Sequence, residues 1–388
     1  MFPKLRFKEF DGDLTESKLV ELTSWASGGT PAKDVPEYWG DDIPLISGAS
    51  MHTNQLYESD VKITKLGLQK GSKLAPKDSI LILVRGSMLF NKIPMGITLG
   101  DVAFNQDVKC IRPKQQLAPL FLFQWLHAKE NTIQNKVTAT GIGAGKLDTA
   151  DLQNLKLYKP SLEEQTKIAT FLSAVDEKIS QLTQKLELLC QYKQGMMQKL
   201  FSQQIRFKAD DGSEFGEWDY LELNEVLDYE QPTKYIVKST DYDSSYLTPV
   251  LTAGKTFILG YTNETSGIFE GDKENVIIFD DFTTAYKFVN FRFKVKSSAM
   301  KISKLNHFQN NIFYIYSVFS LLNLPLGDEH KRRWISEYSK QEIPVPCLEE
   351  QTKISNFLSA IDQKIEVVAQ QIEQAKTWKK GLLQQMFI

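Results

Sequence analysis

The sequence contains few of the residues that usually carry catalysis or cross-linking. Its 388 residues include only three cysteines and four histidines, and these lie far apart. Such scattered cysteines give neither a disulfide framework nor a metal-ligand spacing. No stretch has the apolar length of a signal peptide or of a membrane span. We therefore expect a cytosolic protein without a metal site.

The sequence also lacks recognised catalytic motifs. Residues 141–146 read G-I-G-A-G-K, but a Walker loop requires Gly where Thr140 stands and Ser or Thr where Leu147 stands. A glycine-rich loop is the better interpretation. Asp280 and Asp281 follow a predicted strand, yet no Glu-x-Lys follows them as nuclease chemistry would require. These absences predict a chain that is not itself an enzyme.

The overall charge gives no sign of a particular partner. The 46 Lys and Arg residues are balanced by 48 Asp and Glu residues, for a net charge of −2. Any claim of nucleic-acid binding must therefore rest on local basic patches. Length and an ordinary hydrophobic content of 42% predict two or three globular domains.

The most informative feature is a stretch that occurs twice. Residues 160–202 align without a gap with residues 346–388, and about half of the positions are identical. Both copies contain L-E-E-Q-T-K-I. A second echo precedes each body, as L-R-F-K near the N-terminus and I-R-F-K at residues 205–208. Such self-similarity indicates an internal duplication.

Both copies of the repeat have the heptad spacing of a long helix. The first apolar seam comprises Ile168, Leu172, Val175, Ile179, Leu182 and Leu186. The second comprises Ile354, Leu358, Ile361, Ile365, Val368 and Ile372. Lys193 and Lys379 interrupt the seams at equivalent places. The narrow seams need a partner, either within the chain or in another protein. We favour antiparallel pairing within one chain, with Ile168 near Met386, because matched seams in one chain have a high effective concentration.

The regions between the repeats read as unlike α+β bodies. Buried strands are predicted at residues 79–84, 102–111, 276–279 and 288–295, and the start of another at 43–46. An apolar helix is predicted at 119–128, and either an apolar helix or a strand at 312–322. The domain boundaries predicted are 1–159 for the first body, 160–204 for its helix, 205–345 for the second body and 346–388 for the second helix. The fold class is therefore α+β, with two bodies, two long antiparallel coiled-coil helices and a pseudo-twofold duplication.

The second body contains the strongest local basic pattern. Residues 285–304 carry six basic residues and no acidic one: Lys287, Arg292, Lys294, Lys296, Lys301 and Lys304. Within the predicted strand, Arg292, Lys294 and Lys296 alternate with apolar residues, which predicts one wholly basic face. This face would neutralise DNA phosphates. An ordinary solvated strand face is the equally supported alternative.

The repeats and the two body openings, G-G-T-P with Y-W and I-P in the first and W-D-Y-L-E-L in the second, resemble the specificity subunit of type I restriction–modification systems. The resemblance covers essentially the whole chain. It implies two target-recognition domains, each reading half of a split and asymmetric double-stranded DNA target, with the helices setting the unread spacer. It also implies a prokaryotic cytoplasmic protein that takes part in phage defence.

The resemblance further implies partners and candidate contacts. Two modification subunits would supply adenine-N6 methylation with S-adenosylmethionine, and restriction subunits would add an ATP- and Mg-dependent nuclease, so this chain itself would hold no cofactor. The resemblance also points to DNA-contacting segments in the first body: Arg85, Ser87, Asn105, Gln106 and Lys109. A different class of protein also fits the sequence, namely a two-headed coiled-coil adaptor that never touches DNA.

Overall fold

The computed structural model describes residues 3–141, 143–252, 256–280, 283–307, 309–322, 334 and 337–388. The chain divides into two compact units, residues 1–185 with 368–388, and residues 186–367. Each unit therefore contains one body and a stretch of both long helices. Within the described residues, no helix combines the length and apolar character needed to cross a membrane.

The long helices lie where the heptads predict them. The first long helix is Leu162–Phe201, of 40 residues, and the second is Leu348–Met386, of 39 residues. At 1.5 Å per residue each is roughly 60 Å long. The short helices are Leu19–Leu22, Lys65–Gly71, Pro119–Ala128, Glu130–Gln134 and Thr149–Gln153 in the first unit, and Leu223–Val226 and Ile312–Val318 in the second.

The first body contains fourteen short strands among its described residues. They are β1 (Thr15–Lys18), β2 (Thr23–Ser27), β3 (Trp39–Ile46), β4 (Gln55–Leu56), β5 (Lys62–Ile63), β6 (Lys73–Ala75), β7 (Ile80–Leu83), β8 (Arg85–Gly86), β9 (Met95–Thr98), β10 (Val102–Phe104), β11 (Val108–Pro113), β12 (Thr138–Ala139), β13 (Gly145–Lys146) and β14 (Lys156–Lys159). The two larger sheets have the orders β2-β11-β7-β9-β4 and β5-β3-β10-β6. Two smaller sheets, β1-β14 and β12-β13-β8, complete the body.

The second body has two four-stranded sheets, ordered β16-β23-β20-β21 and β18-β17-β22-β19, and the pair β15-β24. Its strands are β15 (Asp219–Glu222), β16 (Leu227–Glu230), β17 (Thr248–Leu251), β18 (Ile258–Thr262), β19 (Phe269–Glu270), β20 (Val276–Asp280), β21 (Tyr286–Val289), β22 (Arg292–Val295), β23 (Met300–Leu305) and β24 (Glu342–Val345). The parallel pair β17–β22 repeats the parallel pair β3–β10 of the first body. The unlike sequences therefore share a sheet plan.

The strand predictions were right in place but wrong in continuity. The helix at 119–128 and the strands at 79–84 and 276–279 are confirmed to within a residue or two, and 312–322 begins as a helix. The predicted strand 102–111 is two strands, because Asn105 Oδ1 accepts the Asp107 N–H and turns the chain. The predicted strand 288–295 is likewise divided into β21 and β22. The apolar I-P-L-I segment ends β3 rather than starting a strand.

The helices pair antiparallel within each unit, as predicted. In the first unit Ile168 and Met386 belong to one buried cluster, and farther along Lys379 Nζ lies 2.5 Å from Asp176 Oδ1. Residue numbers thus rise along one helix as they fall along the other. In the second unit Leu200 and Ile354 share a cluster. Heptad positions 168, 172, 175, 182, 354, 358, 361, 368 and 372 are buried, whereas Ile179, Leu186 and Ile365 are half-buried.

The two seam lysines have equivalent partners. Lys193 Nζ lies 2.6 Å from Asp362 Oδ1, which repeats the Lys379–Asp176 pair. Asp176 also accepts a hydrogen bond of 2.8 Å from Gln124 Nε2 on the helix Pro119–Ala128. A polar pair inside an apolar seam specifies register, because any slip would leave a half-buried charge without its partner.

The repeated motifs tie each helix to its own body. The Arg6 guanidinium binds both oxygens of Glu164, at 2.7 and 2.8 Å, and Arg206 binds Glu350 in the same way at 3.0 and 2.7 Å. Both glutamates are buried. Bidentate pairs of this kind fix orientation as well as distance. The presence of both R-F-K and E-E-Q in each repeat is thus explained by a contact made once in each unit.

Candidate nucleic-acid interface

Two glycines at the start of the first body allow unusually close backbone contacts. A Cβ on Gly28 would lie 2.1 Å from the Phe104 carbonyl oxygen, and one on Gly29 would lie 2.4 Å from that of Gly71. Gly29 N–H instead donates to the Phe104 carbonyl at 3.0 Å. Since no larger residue fits, the G-G sequence holds the end of β2 against the end of β10.

This contact forms one wall of a cleft of about 380 Å³, which we call the basic cleft. Its lining residues are Ser27, Gly28, Val84, Arg85, Gln106, Lys109, Lys146, Leu147, Asp148 and Thr149. Lys146 lies beside Arg85 because β13 pairs with β8 in that register. Lys109 Nζ donates to Ser27 Oγ at 2.5 Å. Three cations from three strands therefore share one concave surface.

The polar groups of the basic cleft favour an anionic ligand. Arg85 and Lys146 are exposed and Lys109 is half-buried. The lining contains one acid, Asp148, whose carboxylate accepts the Ala150 N–H and caps the helix Thr149–Gln153. Exposed Gln106 accepts the Thr30 hydroxyl at 2.8 Å, which orients its amide. Cations beside an oriented amide can bind phosphates and reach a base edge.

The structure brings together only part of the predicted set in the first body. Arg85, Gln106 and Lys109 line the basic cleft, but Ser87 starts a 3₁₀ turn outside its lining and Asn105 closes the turn after β10. Lys146 was missed. Its segment reads as a glycine-rich loop, yet β12 and β13 form a hairpin that packs on β8. The G-A-G-K sequence could have suggested a hairpin ending in a cation.

The predicted basic face of the second body is wrong in its geometry. Lys294 is 1% exposed, and its ammonium donates to the Ser266 and Gly267 carbonyls at 2.7 and 2.9 Å and pairs with Glu264 at 3.1 Å. In the first body the matching position in the parallel strand pair is buried Ala103. Both faces of β22 are covered at Lys294, because Phe293, Lys294 and Val295 are all buried. The alternation of basic and apolar residues along this strand therefore does not correspond to a solvent face and a core face.

The other predicted cations of this body also differ from one another. Lys301 is 2% exposed with its ammonium 5.7 Å from the Tyr229 ring centre, and Lys304 is bound by Glu230 and Glu274 at 2.9 and 3.1 Å. Burial alone would lower the pKa of Lys304, but its two carboxylate partners raise it. Lys287, Arg292 and Lys296 are exposed, although Arg292 pairs with Glu270. Residues 285–304 contain no acid, but glutamates from other segments pair with several of their cations, so these residues do not form a continuous basic face.

Replacing Lys294 with methionine is expected to destabilise the protein without changing the salt dependence of DNA binding. Removing one partner of a buried pair leaves an uncompensated charge and costs about 3 kcal/mol. Urea unfolding of Lys294→Met beside Lys287→Met, which changes an exposed lysine, measures this. Equal stability of the two variants would contradict the buried pair.

The same pair should give a pH dependence. Burial raises the pKa of Glu264, but the Ser239 and Lys238 N–H groups and Lys294 outweigh this and hold it below its usual 4.5. The ionised carboxylate therefore stabilises the fold fully above about pH 4.5 and loses that effect as the pH falls through the lower folded value.

Among the described residues, no group of three or more His, Cys, Asp and Glu side chains could hold a metal ion. Asp280 ends β20 and its carboxylate accepts the Thr283 N–H at 2.7 Å, while Asp281 lies outside the described residues.

Comparison with known proteins agrees with the duplicated architecture. A family model described as the type I restriction modification DNA specificity domain matches residues 12–190 and again 216–377. A putative MjaX specificity subunit from Methanocaldococcus jannaschii is 25% identical over 98% of this chain and 94% of its own length. A type I S subunit structure from M. genitalium covers 100% of this chain and 99% of its own, with a TM-score of 0.67 at 16% identity.

A shorter match is more similar. The specificity subunit of the Escherichia coli enzyme EcoR124I/EcoR124II is 54% identical over 133 residues, which is 34% of this chain and only 33% of that relative. The family model, by contrast, matches most of the chain in two successive segments, in agreement with the repeated helices and sheet plan. This chain belongs to the family of type I restriction–modification specificity subunits.

Proposed function

We propose that this chain reads a bipartite, asymmetric DNA target and directs adenine-N6 methylation or restriction by partner subunits. The observation that carries the proposal is the basic cleft, where Arg85, Lys109 and Lys146 converge beside Gln106. Phosphate contacts from such cations position a domain on the duplex, and polar groups beside them specify sequence. The two bodies share a sheet plan but differ in surface residues, which favours two different half-sites.

We place the chemistry on the partners. S-adenosylmethionine would bind the modification subunits, and ATP and Mg would serve the restriction subunits. Within the described residues of this chain, the polar clusters identified above serve packing or anion binding. The specificity subunit would therefore contribute recognition and assembly alone.

The test is to express the chain with its modification partner in a methylation-free host and to sequence the methylome. We expect N6-methyladenine in one motif made of two constant parts separated by a fixed spacer. Random methylation, or a single continuous motif, would contradict a bipartite reader.

A two-headed adaptor that never touches DNA remains the competing class, and the near-neutral net charge favours it. A gel shift on random duplex, with and without the modification partner, separates the two. An adaptor would give no shifted band under either condition.

Two aromatic ledges support attachment of two copies of one partner. In the first unit Trp378 packs edge-on to Phe171 at 6.0 Å, and Phe171 on Phe7 at 5.8 Å. In the second unit, Tyr192 packs on Phe357 at 6.5 Å and Phe357 on Phe207 at 5.8 Å. These triads occupy equivalent positions of the sequence repeat.

The outermost ring of each ledge is unusually exposed. Trp378 is 54% exposed and Tyr192 is 51% exposed. Large aromatic side chains held at a surface are typical anchors of protein interfaces. Because the same ledge occurs once in each unit, we propose that two modification subunits bind, one at each ledge.

Replacing Trp378 or Tyr192 with alanine should each remove one partner subunit, and replacing both should remove two. The loss of an aromatic anchor costs about 2 kcal/mol or more, roughly thirtyfold in affinity. Native mass spectrometry of the reconstituted complex gives the stoichiometry, with Gln184→Ala on an exposed helix position as control. Undiminished stoichiometry in the double variant would place the partner elsewhere.

A further inference from the structure

Leu247 is exceptionally exposed for an apolar side chain. It is 93% exposed, whereas the next large hydrophobic residue among those described, Tyr220, is 62% exposed. Nearly complete exposure of a leucine gives the folded protein no burial energy at this position. The side chain is therefore free to be buried against a ligand.

The backbone around Leu247 is held firmly. The Asp243 N–H donates to the Tyr261 carbonyl at 3.2 Å, and the Tyr246 N–H donates to the Asp243 carbonyl at 3.1 Å. The Asp243 carboxylate accepts the Ser245 N–H at 2.8 Å. Leu247 then directly precedes β17, whose first residue pairs with Thr262 of β18. A closed turn and a strand thus present the leucine at a fixed place.

A groove of about 390 Å³ lies beside the leucine. Its other lining residues are Pro249, Ile258, Tyr261, Phe291 and Arg292. The lining residues include one cation, Arg292, and no acid, and the exposed Arg292 guanidinium also pairs with Glu270 of β19 at 3.0 Å. A phosphate beside the groove would therefore share or replace the Glu270 carboxylate as the partner of Arg292. A protein interface needs roughly 800 Å² on each partner, far more than these six residues offer.

The first body has no counterpart to this leucine. In the parallel strand pairs, Leu45 lies opposite Ala103 in the first body and Val250 lies opposite Lys294 in the second, so Leu45 and Val250 are equivalent. Three residues before these positions stand Asp42 in the first body and Leu247 in the second. The Asp42 carboxylate accepts the Lys65 N–H at 3.2 Å. The protruding leucine is therefore a property of the second body alone.

We propose that Leu247 is a wedge that enters between stacked base pairs in the half-site read by the second body, with Arg292 on the adjoining phosphate. The inference rests on the proposed function, since it requires bound duplex. Leucine is among the side chains that proteins insert between base steps, and the unstacking cost of a few kcal/mol per step is offset by the additional protein surface that the bent DNA contacts. A backbone that is already held in place loses little conformational entropy when the side chain inserts. The distortion should occur in one half-site only.

The test uses the chain with its modification partner and duplexes that carry 2-aminopurine at successive positions of the methylome-derived target. We expect a several-fold rise in fluorescence at one step of the second half-site with wild type, and none there with Leu247→Ala. Leu259→Ala, which changes another exposed leucine outside the groove, should behave as wild type. Any rise at the methylated adenines, caused by base extrusion into the partner, should persist in both variants.

The outcomes separate the two proposals. A failure of the complex to shift duplex in a gel would overturn the proposed function and the wedge with it. Normal binding with no Leu247-dependent step would overturn the wedge alone. Loss of partner binding in Leu247→Ala, with unchanged fluorescence per bound complex, would assign the leucine to a protein contact and also refute the wedge.

Discussion

Replacing Arg85, Lys109 and Lys146 together with alanine is expected to weaken duplex binding roughly a hundredfold at about 0.15 M salt. These cations line one cleft and are supplied by three different strands. Removing one cation from a phosphate lowers the slope of log affinity against log salt by about 0.9, so removing three lowers it by about 2.7. A salt titration of the assembled methyltransferase from about 0.05 to about 0.5 M measures this slope.

The control is a variant of equal charge change. Lys65, Lys77 and Lys92 are exposed in the same unit but do not line the basic cleft. Their triple alanine variant should retain nearly all of the slope. The cleft variant should also keep the methylated sequence while modifying it more slowly, unless its cations touch bases. If both triple variants weaken binding by the same amount, general charge rather than the cleft attracts the DNA.

Replacing Leu182 with glutamate is expected to destabilise the protein by several kcal/mol and to impair assembly with its partners. Leu182 is 7% exposed on the helix seam. A carboxylate placed there is stripped of water without gaining a partner cation, and the apolar packing of the leucine is removed as well. Urea denaturation gives the stability, and size-exclusion chromatography with the modification subunit gives the assembly.

Gln184→Glu introduces the same charge two residues away at an exposed position of the same helix. Substitutions at such positions change stability by about 0.5 kcal/mol or less. A similar destabilisation of both variants would mean that net charge, and not the seam, controls stability. Ile365→Glu should have a smaller effect than Leu182→Glu, because Ile365 is only half-buried.

The long helices were predictable because their signal is local and repeated. The heptad pattern is visible in the sequence of a single helix, and the second copy, with the same pattern, indicates which helix it packs against. The reciprocal contacts Lys193–Asp362 and Lys379–Asp176 were not predictable in detail, since nothing in a seam position names the residue across from it.

The candidate site was harder to predict because it is assembled from distant segments. Arg85, which follows one predicted strand, and Lys109, which lies within another, were among the predicted contacts. Lys146 was not, because it reaches the cleft through a hairpin whose glycines suggested a loop. The prediction that Lys294 is an exposed cation was wrong because the strand is covered. Period-two alternation assumes one solvated face, whereas β22 is covered on both sides and Glu264 reaches its ammonium from another segment. The local sequence of a strand does not show whether segments distant in the chain cover both of its faces.

The spacing of the charged seam residues makes each long helix complementary to itself. The first helix carries Asp176 and Lys193, and the second carries Asp362 and Lys379, in the same order and at the same separation. A helix of this kind would pair antiparallel with an identical copy as readily as with its homologue. One body with its own helix thus contains every seam group needed to form a homodimer. If the bodies read DNA as proposed, such a dimer would carry two identical recognition domains and would select a palindrome in place of an asymmetric target.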